Sequence, residues 1–312
     1  SLSLFHSFFI KIKEAIMKKK RIKSPYASSL YWPAGILYMV LFFIPTVLSL
    51  FFSLTRWTLQ DWEFIGFENF TLYFSEENLR IGFRNTIIYA VLTSGLKVIF
   101  ALYLASFLSS KLRATGFIRS VLFFPTLVST IGVGITFSVL MNPYEGVINA
   151  VLKWVAGLFG KTTDGPGWLI DPNLLPIVSI ALVDVWKGVG IATLIYIAGM
   201  AAIPRDYYEA SSIDGASTRQ QFYKVTIPLV RPAMFSVIIL SFVGGLRSFD
   251  LIWAMTNGGP GFLSDVIASI NYKQYQAGFY GLATAGNVIL LFFVLAIIGP
   301  VYWFFNKKEQ QA

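Results

Sequence analysis

The 312-residue chain contains no cysteine and a single histidine, His6. Without thiols there is no cysteine nucleophile, cysteine-based zinc site, iron–sulfur cluster or disulfide, so the redox state of the compartment is not written in the sequence. Charge is scarce too. Asp, Glu, Lys and Arg make up 13% of the residues, where a soluble domain carries about a quarter. With 55% hydrophobic residues and a mean hydropathy of +0.65, the composition excludes an ordinary soluble domain and implies an integral membrane protein.

Six apolar runs, near 34–54, 86–108, 120–141, 175–200, 230–253 and 282–305, are each long enough to cross a hydrocarbon core, which takes about 20 residues. None sits at the extreme N-terminus, which predicts that no signal peptide is cleaved. Lys and Arg set the orientation. Sixteen fall on one side: Lys11, Lys13, Lys18, Lys19, Lys20, Arg21 and Lys23, then Lys111, Arg113 and Arg119, then Arg205, Arg219, Lys224 and Arg231, then Lys307 and Lys308. The opposite loops hold six: Arg56, Arg80, Arg84, Lys153, Lys161 and Lys273. Both termini are therefore predicted to be cytoplasmic. The net charge of +9 follows from this topology and calls for no nucleic-acid partner. The organisation expected is an interfacial helix in residues 1–30, a six-helix all-α membrane domain over 31–306 and a short cytoplasmic tail, 307–312. Phe5, Phe8, Phe9, Ile12 and Ile16 recur at helical spacing and give the first segment one apolar face, suited to lying in the membrane surface.

About thirty residues separate the fourth and fifth runs on the cytoplasmic side, and they carry a pattern of their own. Arg205 and Asp206 before Tyr207-Tyr208-Glu209-Ala210 read as a helix start. Asp214-Gly215 reads as a turn, and a second helix is expected from about Ala216 until Pro228 breaks it. Glu209 and Asp214 are also suited to capping backbone N–H groups. Small residues at Ala210, Ser211 and Ala216 would let another protein's surface approach closely.

This stretch resembles the EAA coupling motif of permease subunits of bacterial ABC importers: Glu209-Ala210-Ser211, Gly215 four residues later, and a close at Ile227-Pro228-Leu229. Ser211 replaces the usual second alanine, Val225 an isoleucine and Ile227 a leucine, all close in size. Gly66-Phe67-Glu68-Asn69-Phe70, Arg84-Asn85-Thr86, Phe124-Pro125, Trp186-Lys187-Gly188, Phe249-Asp250 and Gly258-Gly259-Pro260 extend the likeness over most of the chain, to the first subunit of maltose-permease-like carbohydrate importers. The resemblance implies the type I importer permease fold in a bacterial inner membrane. It also implies docking of Glu209, Ala210, Ser211, Asp214, Gly215 and Ala216 on a separate ATPase subunit. The partners it brings are a second homologous permease, two ATPase subunits that hold ATP and magnesium, an extracytoplasmic solute-binding protein and a carbohydrate. The external loops 55–84, 142–174 and 254–281 would receive the binding protein. No cofactor, metal or catalytic residue is expected in this chain, which is a transporter subunit rather than an enzyme.

Gly157 to Thr162 ends like a phosphate-binding loop, but Val155 stands where its first glycine belongs and no strand is expected before it. An interfacial helix near 147–158 is expected instead. Lys97, Asp184, Lys187, Arg247 and Asp250 lie in or at the ends of spans, where charges are costly and either pair or serve function. Asp184 with Lys187, and Arg247 with Asp250, are spaced to pair on one helix face, and this structural reading is favoured over substrate contact. The excess of cations among the five would suit an anionic sugar such as an oligouronate, or a glycerophosphate. Ser241, Gly244, Gly245 and Ser248 form a face of small residues, fit either for close helix packing or for a sugar. In the resemblance, counting from Glu209 brings these four with Gly188 and Ile191 to the substrate pathway, flanked by Lys187 and Arg247. Trp57 and Trp253 are read as interfacial belt residues. The rival readings are a proton-driven transporter in which Asp184 or Asp250 titrates, and a membrane scaffold; neither gives the 203–229 loop a purpose.

Overall fold

The structure is a computed structural model that describes residues 31–109 and 115–309. The amphipathic segment expected in 1–30, the cations Lys111 and Arg113, and the end of the tail from 310 lie outside the described residues. Residues up to Leu48 and those from Ser49 onward form two units, taken separately below.

The first span is the helix Trp32–Phe52 (α1). It widens into a π-helical turn at Met39–Phe43, where the Ile44 N–H bonds to the Met39 carbonyl. Pro45 follows at once, and the wide turn relieves the clash of its ring with the helix behind it.

From Ser49 onward a short antiparallel hairpin, Thr55–Trp57 (β1) and Trp62–Phe64 (β2), pairs Arg56 with Glu63 and Trp57 with Trp62. Glu68–Ser75 (α2) leads into Glu77–Ser109 (α3), a 33-residue helix that starts well before the apolar run it contains. The third span, expected to be continuous, is two helices, Thr115–Leu127 (α4) and Thr130–Leu140 (α5), bent by 93°. The break falls at Val128-Ser129, where Ser129 leaves the helical region at ψ +131°, while Pro125 stands inside α4. Val147–Leu158 (α6) is the expected short helix, followed by a turn and extended chain with no strand before it. Leu175–Ala201 (α7) is unbroken.

The predicted cytoplasmic loop comprises Arg205–Ile213 (α8) and Thr218–Leu229 (α9). The second helix ends at Leu229, one residue after Pro228, close to the expected stop. A π-helical turn at Phe222–Thr226 absorbs the proline, with the Ile227 N–H bonded to the Phe222 carbonyl, and the chain bends by 69° only on entering Arg231–Leu246 (α10). The fifth span stops at Leu246 rather than near 253. Asp250–Thr256 (α11) is separate, and Ile267–Gln276 (α12) precedes Tyr280–Glu309 (α13). Four helices are each long and apolar enough to cross a membrane, and counting the bent pairs α4–α5 and α9–α10 as one span each gives up to six by length and composition; the tail from Lys307 to Glu309 continues the last helix.

The helices α3, α7 and α10 form the centre. Ala101, Ala105, Val189, Tyr196 and Val237 are buried together at one end, and Tyr89, Ile177, Ile180 and Ile252 at the other. Close approach is set by glycines. A Cβ on Gly190 would lie 3.0 Å from the Phe123 Cα, so α4 rests directly on the α7 backbone.

Candidate functional site

The α8–α9 loop is built as a rigid unit. Helix α8 ends in a Schellman motif: the Ala216 N–H bonds to the Ser211 carbonyl (2.9 Å) and the Gly215 N–H to the Ser212 carbonyl (3.1 Å). Gly215 sits at φ +76°, the left-handed region that glycine enters without steric cost. Ser217 then caps α9 in a capping box, accepting from the Gln220 N–H while the Gln220 side chain accepts from the Ser217 N–H. The caps expected of Glu209 and Asp214 are thus supplied by other residues. Glu209 lies mid-helix, and Asp214 is the C-cap through its backbone.

Across the turn the Gln221 Nε2 donates to Ser211 Oγ (3.0 Å), Ser212 Oγ (2.8 Å) and the Tyr208 carbonyl (3.3 Å). The Tyr208 and Thr226 hydroxyls are 3.0 Å apart. Ser211, the departure from the family's second alanine, is therefore a hydrogen-bonding anchor between the helices. Sequence reading missed Tyr208, Ser217 and Gln221; a serine three residues before a glutamine was the available signal. The opposite side of α8 is open: Glu209, Ala210, Asp214 and Gly215 are exposed, and Ile213 is 87% exposed. The Ile213 side chain and the Glu209 and Asp214 carboxylates are thus open to solvent on one side of α8.

The intramembrane charges pair differently from the expectation. The Lys97 Nζ reaches from α3 to Asp184 Oδ2 on α7 at 2.7 Å. The path is cleared by Gly188, where a Cβ would meet Lys97 Cε at 2.7 Å. Gly188 thus seats a lysine and does not line open space. Lys187 turns to α4 instead, with its Nζ 3.5 Å from the Thr126 carbonyl, while Thr126 Oγ1 donates to the Lys187 carbonyl. Arg247 and Asp250 make no ion pair among the described residues. Arg247 follows the end of α10, so the helical spacing that would bring them together does not exist.

The small-residue face divides for the same reason. Gly245 is buried against α3, where a Cβ would lie 2.7 Å from Ala90 Cα, whereas Gly244 has nothing within 4 Å. Ser241 is half-buried. Ser248 lies beyond the helix and donates to the Tyr89 hydroxyl at 3.3 Å. Ile191, Gly244 and Arg247 stay exposed. Gly245→Val is expected to lower stability by about 1–3 kcal/mol through overpacking, and Gly244→Ala to change it little. Thermal unfolding of the two variants reads the difference, and equal tolerance would show that α3 and α10 do not meet at Gly245.

On the predicted external side the short motifs hold the loops together. The Asn69 Nδ2 donates to the Ser53 and Thr55 carbonyls, fixing the hairpin to α2. The Asn85 Nδ2 donates to the Leu263 and Asp265 carbonyls, and Thr86 Oγ1 accepts from the Ile267 N–H at 2.9 Å. The Asp265 carboxylate is fully buried, pairs with Lys273 Nζ at 2.6 Å and accepts from Ser269 Oγ at 2.7 Å. It packs directly on Gly258, which has φ +80° and no room for a Cβ. Burial pushes the Asp265 carboxyl above its ordinary range, against the opposing pull of Lys273 and Ser269.

Beside this scaffold Trp57, Phe249, Tyr272, Tyr275 and Tyr280, with Asn271, Thr284 and Asn287, line a cavity of about 380 Å³.

Residues 79–306 match the family described as binding-protein-dependent transport system inner membrane component. The trehalose/maltose transport system permease protein MalF of Thermococcus litoralis is 30% identical over 260 residues, which cover 83% of this chain and 86% of that one. The sn-glycerol-3-phosphate transport system permease protein UgpA of Agrobacterium fabrum is 29% identical, over 88% of this chain and 93% of that one. Among solved structures, a bacterial ABC transporter involved in the import of the acidic polysaccharide alginate superposes with a TM-score of 0.74 over 89% of this chain and 94% of that chain. At 20% identity that likeness establishes the fold. The resemblance to maltose-permease-like subunits is borne out, and the relatives are transport permeases, not enzymes. With the α8–α9 loop inside the matched region, the chain belongs to the family of inner membrane components of binding-protein-dependent transport systems.

Proposed function

We propose that this chain is one of two homologous permeases in an importer that takes a carbohydrate into the cytoplasm by ATP-driven alternating access. Two ATPase subunits and an extracytoplasmic solute-binding protein complete the complex, in a bacterial cytoplasmic membrane with both termini of this chain inside. The observation that carries this reading is the α8–α9 loop. Its two short helices are locked to each other by Gln221 and by a Schellman turn, and its apolar, carboxylate-ringed tip is exposed. A lever of this kind transmits closure of an ATPase dimer as rigid-body movement of the membrane helices, whereas a flexible loop would dissipate it. Glu209, Ala210, Ser211, Asp214, Gly215 and Ala216 form the coupling element.

The carbohydrate reading is supported by the named substrates of relatives such as the trehalose/maltose permease and by the aromatic and amide lining of the cavity at Trp57 and Tyr272. Aromatic rings offer flat apolar faces to sugar C–H groups, and amides bond to hydroxyls. An oligosaccharide fits best, and an acidic one such as an oligouronate suits Lys187 and Arg247, the cations that Asp184 does not neutralise.

The test is ATP hydrolysis by the reconstituted complex with and without loaded binding protein. Gly215→Pro fixes φ at about −65° where the turn needs +76°, so stimulation by the binding protein is expected to vanish while the complex still assembles. Glu209→Ala leaves the turn intact and is expected to reduce stimulation by removing an exposed contact. Stimulated hydrolysis and uptake unchanged in both variants would reject the loop as the coupling element.

A further inference from the structure

Between the coupling helices and the ends of the membrane helices lies a second cavity, of about 540 Å³, that the transport cycle does not explain. Ser106 and Ser109 from the end of α3, Arg119 from α4, Arg205 from α8 and Thr218 from α9 contribute polar groups to its wall. Among the described residues two guanidinium groups line it and no acid does.

The two arginines are under-used as donors. Arg119 spends one nitrogen, Nη2, on the Leu108 carbonyl at 3.1 Å, which fixes its plane, while its Nε is buried with no hydrogen-bond partner among the described residues. A buried donor left unmade is costly, more so on a charged group. Arg205 forms no ion pair among the described residues. Planar guanidinium groups present paired N–H donors that match phosphate oxygens, and basic pockets between membrane helices on the cytoplasmic side receive anionic head groups.

The geometry points to a binding site for a phosphate-bearing anion at this cavity, held by Arg119 and Arg205 with the Ser106, Ser109 and Thr218 hydroxyls nearby. Since one wall is the coupling loop and the others are membrane helices, occupancy braces the loop against the spans and sets how firmly ATPase closure is transmitted. This rests on the coupling reading for its consequence, but binding itself does not. Two sources carry the chemistry: the head group of an anionic phospholipid, and a soluble phosphate ester.

The experiment uses the assembled importer in nanodiscs of phosphatidylcholine, without ATP or binding protein, and reads the thermal midpoint. One arm replaces part of the lipid by phosphatidylglycerol. The other titrates inorganic phosphate against chloride at equal ionic strength. A ligand that binds only the folded complex raises the midpoint. The expected result is a rise with at least one probe in the native complex, and a fall of about tenfold or more in apparent affinity in Arg119→Gln and in Arg205→Gln, the loss of a charge-assisted hydrogen bond. A rise with phosphatidylglycerol alone assigns the site to lipid, and a rise with inorganic phosphate assigns it to a soluble ester. No rise with either probe, or an equal rise in native and variant complexes, overturns the proposal. Arg205 is exposed at the start of α8, so its variant remains informative if Arg119→Gln fails to assemble. Because no ATPase activity is read, failure here and failure of the coupling reading are separate outcomes.

Discussion

Lys97→Met is expected to cost the helix bundle about 3–5 kcal/mol, because it leaves Asp184 as an uncompensated charge between α3 and α7. Lys97 is 9% exposed, and the Asp184 side chain 23%, so solvent offers little relief. Asp184→Leu strands the lysine in the same way. The double variant, Lys97→Met with Asp184→Leu, removes both charges and both desolvation costs, and is expected to recover most of the loss. Thermal unfolding of the four proteins closes a double-mutant cycle. If either single variant loses under about 1 kcal/mol, the value of a surface ion pair, or if the two losses add in the double, Lys97 and Asp184 are not a buried pair. A pair that recovers when both members are removed would also show that neither charge is needed for the fold itself. Uptake by the double variant then tells whether the pair takes part in transport.

Lys273→Met is expected to produce the second large effect, and one that depends on pH. It removes the partner of a fully buried carboxylate and should destabilise the 258–273 region by about 3 kcal/mol at neutral pH, the lower end of the range for a broken buried pair, since the Lys273 side chain is itself 30% exposed. Asp265 is already raised by burial in the native protein. Losing Lys273 removes an attraction that held it down, so the carboxyl rises further. A carboxyl raised in the folded state binds its proton more readily than in the unfolded chain, so the folded state gains stability as pH falls from above the raised value towards the ordinary 3.8. The defect should therefore be largest at neutral pH and shrink under mild acid. Hydrogen exchange of the amides from Gly258 to Lys273, followed against pH in both proteins, reads this directly. A loss of protection that does not vary with pH would mean that Asp265 is not the source. Asp265→Asn combined with Lys273→Met should abolish the pH dependence, because nothing in the pair is left to titrate.

The α8–α9 loop was legible because its signals are local. A glycine four residues beyond Ser211 marked the turn, and Arg205-Asp206 marked the helix start; the structure puts both where the pattern did. Its internal bracing was not legible in the same way, since Gln221 bonds to Ser211 and Ser212 across a turn whose closure had to be known first. Pro228 marked the end of the helix to within one residue, since α9 stops at Leu229, but the π-helical turn upstream that accommodates the proline was not signalled. The substrate face misled. Helical spacing joined Ser248 to Ser241, Gly244 and Gly245, but the helix ends at Leu246.

The sequence by itself determined that this is a membrane protein with six apolar runs and a compact two-helix loop over 203–229, because hydrophobic length and turn chemistry are properties of short stretches of chain. Only the tertiary structure decided which charges meet. Asp184 had Lys187 three residues away and chose Lys97, 87 residues distant, because Gly188 opens the path between α3 and α7. Gly258, Asn85 and Thr86 likewise acquired their roles only when the Asp265 loop folded onto the start of α3. The physical reason is that a buried polar group is satisfied by whichever partner the packed backbone brings within hydrogen-bond reach, and packing is set by contacts far apart in sequence.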